Sequence, residues 1–422
     1  MPYDIHKTHD TSIRKHFGLL DGIDPKLMYY IVVPHIFVVL VAVFEIPLVY
    51  RVTGSLEGVN WARFMYYTWI MFGYMLFYAF RLKVKVSTLF KTSLLFQALT
   101  ALYLMVAFKH LGSLTALIPM FAIRGCSVAL FAIAYHTSLL VGLKDSKRDS
   151  FILTFRSLYG LLPIFLPILG GFIIKYLDFS WFPSNNVLPD GYFTLFLLGG
   201  VMSVLGIIFS PKTDIKEDFS DGLVVPIKYL FKKELKYIRN FIVFRGYVNT
   251  LKIIVYGLLG FIILNHEANL GIFSSAIALI GSVYFLFIRN FEKSKHVERI
   301  KFFIFGIVGD TIAQIIYFLD ISFIGLLVKS VSETFLGPLK GIFGENIVRH
   351  RYDVLTEQGN LKKSDLIMFQ EMALYVARVL SFVTLAVFLK LYPQDILSVL
   401  KYLILAVAIL DLFKYPLLKK IK

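Results

Sequence analysis

Cysteine is nearly missing from this sequence: Cys126 stands alone in an apolar run, so no internal disulfide framework exists. Charge is scarce as well. Charged residues make up 17% of the 422 and hydrophobic ones 57%, with a mean hydropathy of +0.72. A soluble domain carries about 25% and about 45–50% respectively. Two or three soluble domains in a chain of this length would each need a polar surface that this composition does not supply. No Gly-x-x-x-x-Gly-Lys-Ser/Thr loop is present to cradle phosphates, which excludes ATP-driven transport by this chain itself. A His-Glu-x-x-His pair, a Gly-x-Ser-x-Gly elbow and a Cys/His cluster are also absent. The expectation is a protein that is not an enzyme and holds neither metal nor cofactor. The first 26 residues lack the apolar core of a cleaved signal peptide, so the first hydrophobic segment reads as a retained helix.

What the chain has is apolar length. About 20 apolar residues cross the roughly 30 Å hydrocarbon core of a bilayer. Twelve such runs occur, at 27–50, 64–80, 92–108, 114–142, 151–174, 192–210, 240–264, 270–288, 302–319, 321–347, 366–389 and 395–413. None alternates with period two, which excludes barrel strands. The 41 Phe and 24 Tyr suit lipid-facing surfaces and interfacial belts. The fold class is therefore all-α and polytopic. Lys and Arg accumulate on the cytoplasmic side of a membrane. Of the 44 basic residues, 31 fall in the termini and alternate connections, against five on the other side: Arg51, Arg63, Lys109, Lys175 and Lys390. Twelve spans with both termini cytoplasmic satisfy that count, and the pattern suits a bacterial inner membrane. The net charge of +16 is spread over cytoplasmic loops, where anionic lipid accounts for it; nucleic acid is not implied.

The longest connection, 211–239, divides the chain into a first bundle (27–210) and a second (240–413), flanked by an N-terminal segment (1–26) and a basic tail (414–422). In the linker, Ile227, Leu230, Phe231, Leu235, Ile238 and Phe241 recur at helical spacing among Lys228, Lys232, Lys233, Lys236 and Arg239. That spacing predicts a basic amphipathic helix on the inner membrane surface. Six helices, a basic connection and six more resemble the major facilitator superfamily. Tyr159-Gly160-Leu-Leu-Pro163 leading to Pro167-Ile-Leu-Gly170-Gly171 looks like that family's fifth-helix Gly-Pro signature, with Leu166 in place of a glycine. Arg124-Gly125 resembles its fourth-helix arginine element. The loop AFRLKVKVSTLFK lacks the aspartate of the family's Gly-x-x-x-Asp-Arg motif, and the loop from Gly281 to Arg299 is similarly degraded. The resemblance implies a secondary transporter that works by alternating access, with a small-molecule substrate, protons as candidate coupling ions and lipids as surroundings, acting as a monomer. A scaffold, a receptor or an intramembrane transferase on the same fold is the competing reading.

Charge inside a membrane is expensive, at least about 2.5–3.5 kcal/mol per residue at the bilayer centre. The spans nevertheless contain Arg124, Arg156, Arg245, Lys252, Lys329, Lys340, Arg378 and Lys401 among the bases. Glu45, Asp310, Glu333 and Glu371 are among the acids. Helix tilt and long side chains could bridge the depths of Glu45 and Arg124, which makes them a candidate proton-coupling pair or a permanent ion pair; the alternative is that Glu45 reaches the outer headgroups. Lys329 and Glu333, four apart, share a helix face; Asp310 lies at a similar depth. Glu371 and Arg378, seven apart, also share a face. FILTFR (151–156) echoes LIMFQE (366–371), which makes Arg156 and Glu371 candidates for an inner gate. MFAIRGCSVALF (120–131) echoes GLLVKSVSETFL (325–336), matching Arg124 with Lys329. Bases outnumber acids within the spans: a central cavity with Arg124, Lys252 and Arg378 uncompensated would favour an anionic substrate, while the same bases could equally form structural pairs with backbone carbonyls at helix breaks. His35 and His136 are candidate proton sites by type, or ordinary partners in helix-to-helix hydrogen bonds.

Overall fold

The structure is a computed structural model. It describes residues 25–80, 83–140, 145–177, 185, 187–211, 216–218, 223–288, 296–358, 361–392 and 396–421. The N-terminal segment before residue 25, Arg81 and the loop 289–295 lie outside that set, as does the side chain of Arg156.

Within lipid a backbone has no water to bond, so an apolar run satisfies its own N–H and C=O groups by coiling into a helix. The first half contains α1 (Pro25–Thr53), α2 (Leu56–Ala79), α3 (Val86–Val106), α4 (Leu114–Leu140), α5 (Asp145–Tyr176) and α6 (Gly191–Ile208). After a short α7 (Val224–Tyr229) come α8 (Lys236–Leu264), α9 (Glu267–Ile288), α10 (His296–Leu319), α11 (Phe323–Glu357), α12 (Lys363–Leu391) and α13 (Ile396–Leu412). A final α14 (Lys414–Lys419) closes the chain. Among the described residues, nine helices are long and apolar enough to cross a membrane. The other three long helices are α2, with four Tyr and two Trp; α5, apolar only over Leu161–Tyr176; and α11, whose interior carries Lys329, Glu333 and Lys340. The protein is multi-pass. Below, "terminal side" means the face from which α1 departs and at which α13 ends.

The structure adds two features to the all-helical reading and changes a third. Lys83–Lys85 (β1) pairs antiparallel with Lys216–Asp218 (β2), in the register Lys83↔Asp218, Val84↔Glu217 and Lys85↔Lys216. A basic loop thereby meets the acidic start of the linker. The expected amphipathic helix is broken. α7 ends at Tyr229, Lys232 is extended (φ −64°, ψ 132°), and a single 3-10 turn, Lys233–Leu235, precedes α8. The Arg239 guanidinium donates to the Leu230 carbonyl, taking the acceptor that a continuous helix would have used. Leu235, Ile238 and Phe241 turn into a core with Ile347 and Leu355, while Ile227 and Phe231 stay exposed. The tail is likewise not a free basic strand, because α14 buries Lys414 and Leu418.

The halves meet along α5–α9 and α2–α12. Gly171 and Gly271 make the first crossing possible. A Cβ on Gly271 would stand 2.3 Å from the Pro167 carbonyl oxygen, and one on Gly171 2.8 Å from the Glu267 carbonyl oxygen. Pro167 lies inside α5, and Ile168 N–H donates across the boundary to Ser275 Oγ at 3.1 Å. The second crossing is tied by Asn60 Nδ2 to the Phe382 carbonyl (3.1 Å) and by the Tyr78 hydroxyl to the Ser364 carbonyl (2.7 Å).

Candidate functional site

Four groups of polar residues occupy the interior, and their positions follow from the helices that present them. In the first half, Gly125 lets α4 lie against α2: its Cβ would meet Trp69 Cβ at 2.6 Å. That approach carries Arg124 to Glu45 of α1, with Nη1 and Oε2 2.8 Å apart. Arg63, from the start of α2, is 3.5 Å from the same oxygen, and both guanidiniums lie over the Tyr66 ring. Glu45 and Arg124 are each 3% exposed, so this cluster is sealed within the bundle.

The second half holds a larger ionic core. Lys252 of α8 bonds Asp310 of α10 at 2.8 Å and also Asp411 of α13. Lys340 of α11 bonds Asp310 and stands 3.8 Å from Asp411; Lys414 bonds Asp411 from one turn beyond. Gln314 Nε2 donates to Asp310 (2.8 Å) and to Asp411 (3.2 Å), and the Tyr256 hydroxyl donates to Gln314 Oε1 (3.0 Å). Both aspartates are fully buried. Beside this core, Lys329 bonds Glu333 and sits 3.6 Å from the Tyr256 ring centroid. Asp411 and Lys414 were not among the expected site residues. The run 395–413 makes Asp411 look like the end of a span, but the apolar helical stretch continues through α14 to Lys419, so Asp411 lies inside it.

The third group seals the side opposite the termini. α1 ends at Gly54 (φ +64°) and α8 at Asn265 (φ +62°), both left-handed. These tight turns place Arg51 and Glu267 face to face. The pair is bidentate: Nε to Oε1 at 2.5 Å, Nη2 to Oε2 at 3.0 Å, with the Tyr192 hydroxyl donating to Oε1 at 3.3 Å. It joins the first half to the second.

The fourth group lines a cavity of about 370 Å³ between the halves. It extends from Tyr67 and Arg378, midway along α2 and α12, to Arg349, Tyr352 and Leu366 near the terminal side. His136, Arg245, Asn249, Thr250, Gln370 and Glu371 complete its polar lining. Glu371 Oε2 lies 3.5 Å from Arg378 Nη1, and the Arg378 guanidinium stacks 4.5 Å from the Tyr67 ring centroid. Of the expected site residues whose side chains are described, Arg378 and Glu371 reach this cavity, together with the candidate proton site His136. Glu45 and Arg124 form their own pair, and Lys252, Asp310, Lys329 and Glu333 belong to the ionic core or its flank. Arg124, Lys252 and Arg378 therefore each have a carboxylate partner. The expected gate of Arg156 and Glu371 lies outside what is described, because the side chain of Arg156 does. Among the described residues, no three His, Cys, Asp or Glu side chains are grouped to hold a metal ion.

No family model and no curated protein matches the chain by sequence. Solved structures do match by fold. A bacterial homologue of the iron transporter ferroportin, in an outward-facing state, aligns with a TM-score of 0.63 at 13% identity, over 94% of this chain and 99% of that one. The E. coli fucose:proton symporter FucP aligns at 0.62 and 10%, over 96% and 98%. The human organic anion transporter MFSD10 (TETRAN) aligns at 0.61 and 12%, over 93% and 98%. The chain thus has the major facilitator fold, an all-α polytopic architecture with twelve long helices in two bundles among the described residues.

Proposed function

We propose that this chain is a secondary transporter that moves a small organic anion by alternating access. The observation that carries this reading is the composition of the inter-half cavity. Arg245, Arg349 and Arg378 line it against a single described carboxylate, Glu371. A planar guanidinium binds carboxylate or phosphate through two parallel hydrogen bonds, and the Tyr67 ring behind Arg378 holds one such group in place. The cavity approaches the terminal side, while Arg51–Glu267 and the α5–α9 crossing close the other. This is the arrangement of one end state of a rocking carrier. The same fold serves an organic anion transporter and a proton symporter elsewhere.

In this reading the terminal side faces the cytoplasm, the carrier works as a monomer, and Glu45 exchanges the coupling proton when its contact with Arg124 opens. Proteoliposomes under an imposed pH gradient test the whole scheme, with organic anions offered beside sugars and lipophilic cations. Organic anions are expected to accumulate, with uptake reduced at least about tenfold by Arg378→Gln, the loss of roughly one charge-assisted hydrogen bond. Glu45→Gln is expected to abolish acceleration by the gradient while sparing anion counterflow. Uptake confined to sugars or cations would reject the anion assignment. No flux of any class from folded protein would reject transport.

A further inference from the structure

A second cavity, also of about 370 Å³, lies away from the transport path, between the terminal end of α11, α14 and the start of α10. Its rim carries His350, Arg351 and Lys419 with Tyr415, and no described residue lining it is acidic. Arg351 and Lys419 form no ion pair among the described residues. Its floor is apolar: Ile347 and Leu418 are buried members of the core beneath. α11 has 35 residues, about 52 Å at 1.5 Å per residue, so it outruns the hydrocarbon core. Arg351, 28 residues from its start, lies about 42 Å along the helix, at headgroup depth.

One wall continues into the bilayer. Ile300 of the cavity begins a helical stripe on α10 through Ile304, Val308 and Ile312. Val308 is 44% and Ile312 54% exposed, as lipid-facing residues are. Cations above an apolar track match the two ends of an anionic phospholipid. We propose that this cavity binds one phospholipid whose phosphate-bearing anionic headgroup sits between Arg351 and Lys419, with an acyl chain along Ile304, Val308 and Ile312. A free phosphate would meet the same cations but leave the apolar wall uncovered. Because the site is built from α10, α11, α14 and Ile421 just beyond it, the assignment does not depend on the transport reading.

Native mass spectrometry of the full-length protein in detergent, titrated with dioleoyl-phosphatidylglycerol or dioleoyl-phosphatidylcholine, tests this. One phosphatidylglycerol is expected to be retained in preference to phosphatidylcholine, and excess inorganic phosphate is expected not to displace it. Arg351→Gln and Lys419→Gln should each weaken retention about fivefold. Lys419 is exposed, so its variant preserves the fold even if Arg351→Gln does not. Equal retention of the two lipids, or unchanged retention in Lys419→Gln, would overturn the assignment. Displacement by inorganic phosphate would overturn the lipid as the occupant and leave a small-anion site.

Discussion

Asp310 and Asp411 are fully buried, and each faces more than one ammonium group across helices α8, α10, α11 and α13. Removing one partner from such a group leaves an uncompensated charge, typically about 3–5 kcal/mol destabilising. Asp411→Ala is therefore expected to lower the unfolding temperature of the detergent-solubilised protein sharply, while Lys390→Gln, at an exposed position, leaves it unchanged. A thermal unfolding series on both variants checks this, and equal melting temperatures would show that the core tolerates the loss. Parts of this chemistry are legible in the residues alone. Lys329 and Glu333 are one helical turn apart, and Glu371 and Arg378 two, so helix geometry alone predicts that each pair shares a face. Glu45 and Arg124 could be matched by depth. Asp411 could not, because it stands at the edge of its apolar run and its partners Lys252 and Lys340 come from helices distant in sequence.

At the scale of elements, the Gly-Pro signature in α5 acquires a physical role. Pro167 presents its carbonyl where Gly271 of α9 passes without a side chain, and Gly171 does the same for the start of α9. Gly271→Val is expected to force these helices apart and so disfavour closure on the side opposite the termini. Glu267→Gln should act in the same direction by removing one partner of the bidentate lock with Arg51. Both predictions can be read by electron–electron resonance distances between spin labels at Ser113 and Asp320, in a Cys126→Ser background. The distance distribution should shift to longer values in each variant. An unchanged distribution would mean that α2–α12 contacts alone hold that side shut. The amphipathic linker illustrates the opposite lesson. Its helical spacing of apolar residues is real, yet tertiary contacts divided it: Leu235, Ile238 and Phe241 joined the core, and Ile227 and Phe231 did not.

For the whole molecule, the basic residues make a prediction independent of any substrate. The positive charge gathered in alternate connections predicts that the terminal side faces the cytoplasm. Fusions at the C-terminus check this: a fluorescent reporter that folds only in the cytoplasm should be bright, and a phosphatase active only outside it should be silent. The reverse result would invert the orientation of the cavity and turn the resting state outward.

Composition, span count and charge alternation are properties of single segments meeting lipid and water, so they could be read before any packing was known. Lipid forces each apolar run to satisfy its own backbone, and that fixes the helices almost independently of their neighbours. Which helices touch is another matter. Arg51 and Glu267 lie 216 positions apart, at the ends of different spans, and nothing local distinguishes them from other loop charges. Their pairing, the Lys–Asp core and the arginine-lined cavity arise only when α1 meets α9, α13 packs against α8, and α12 closes on α2. Those contacts are set by shape at glycines and by the cost of leaving a buried charge alone, and both are properties of the assembled bundle.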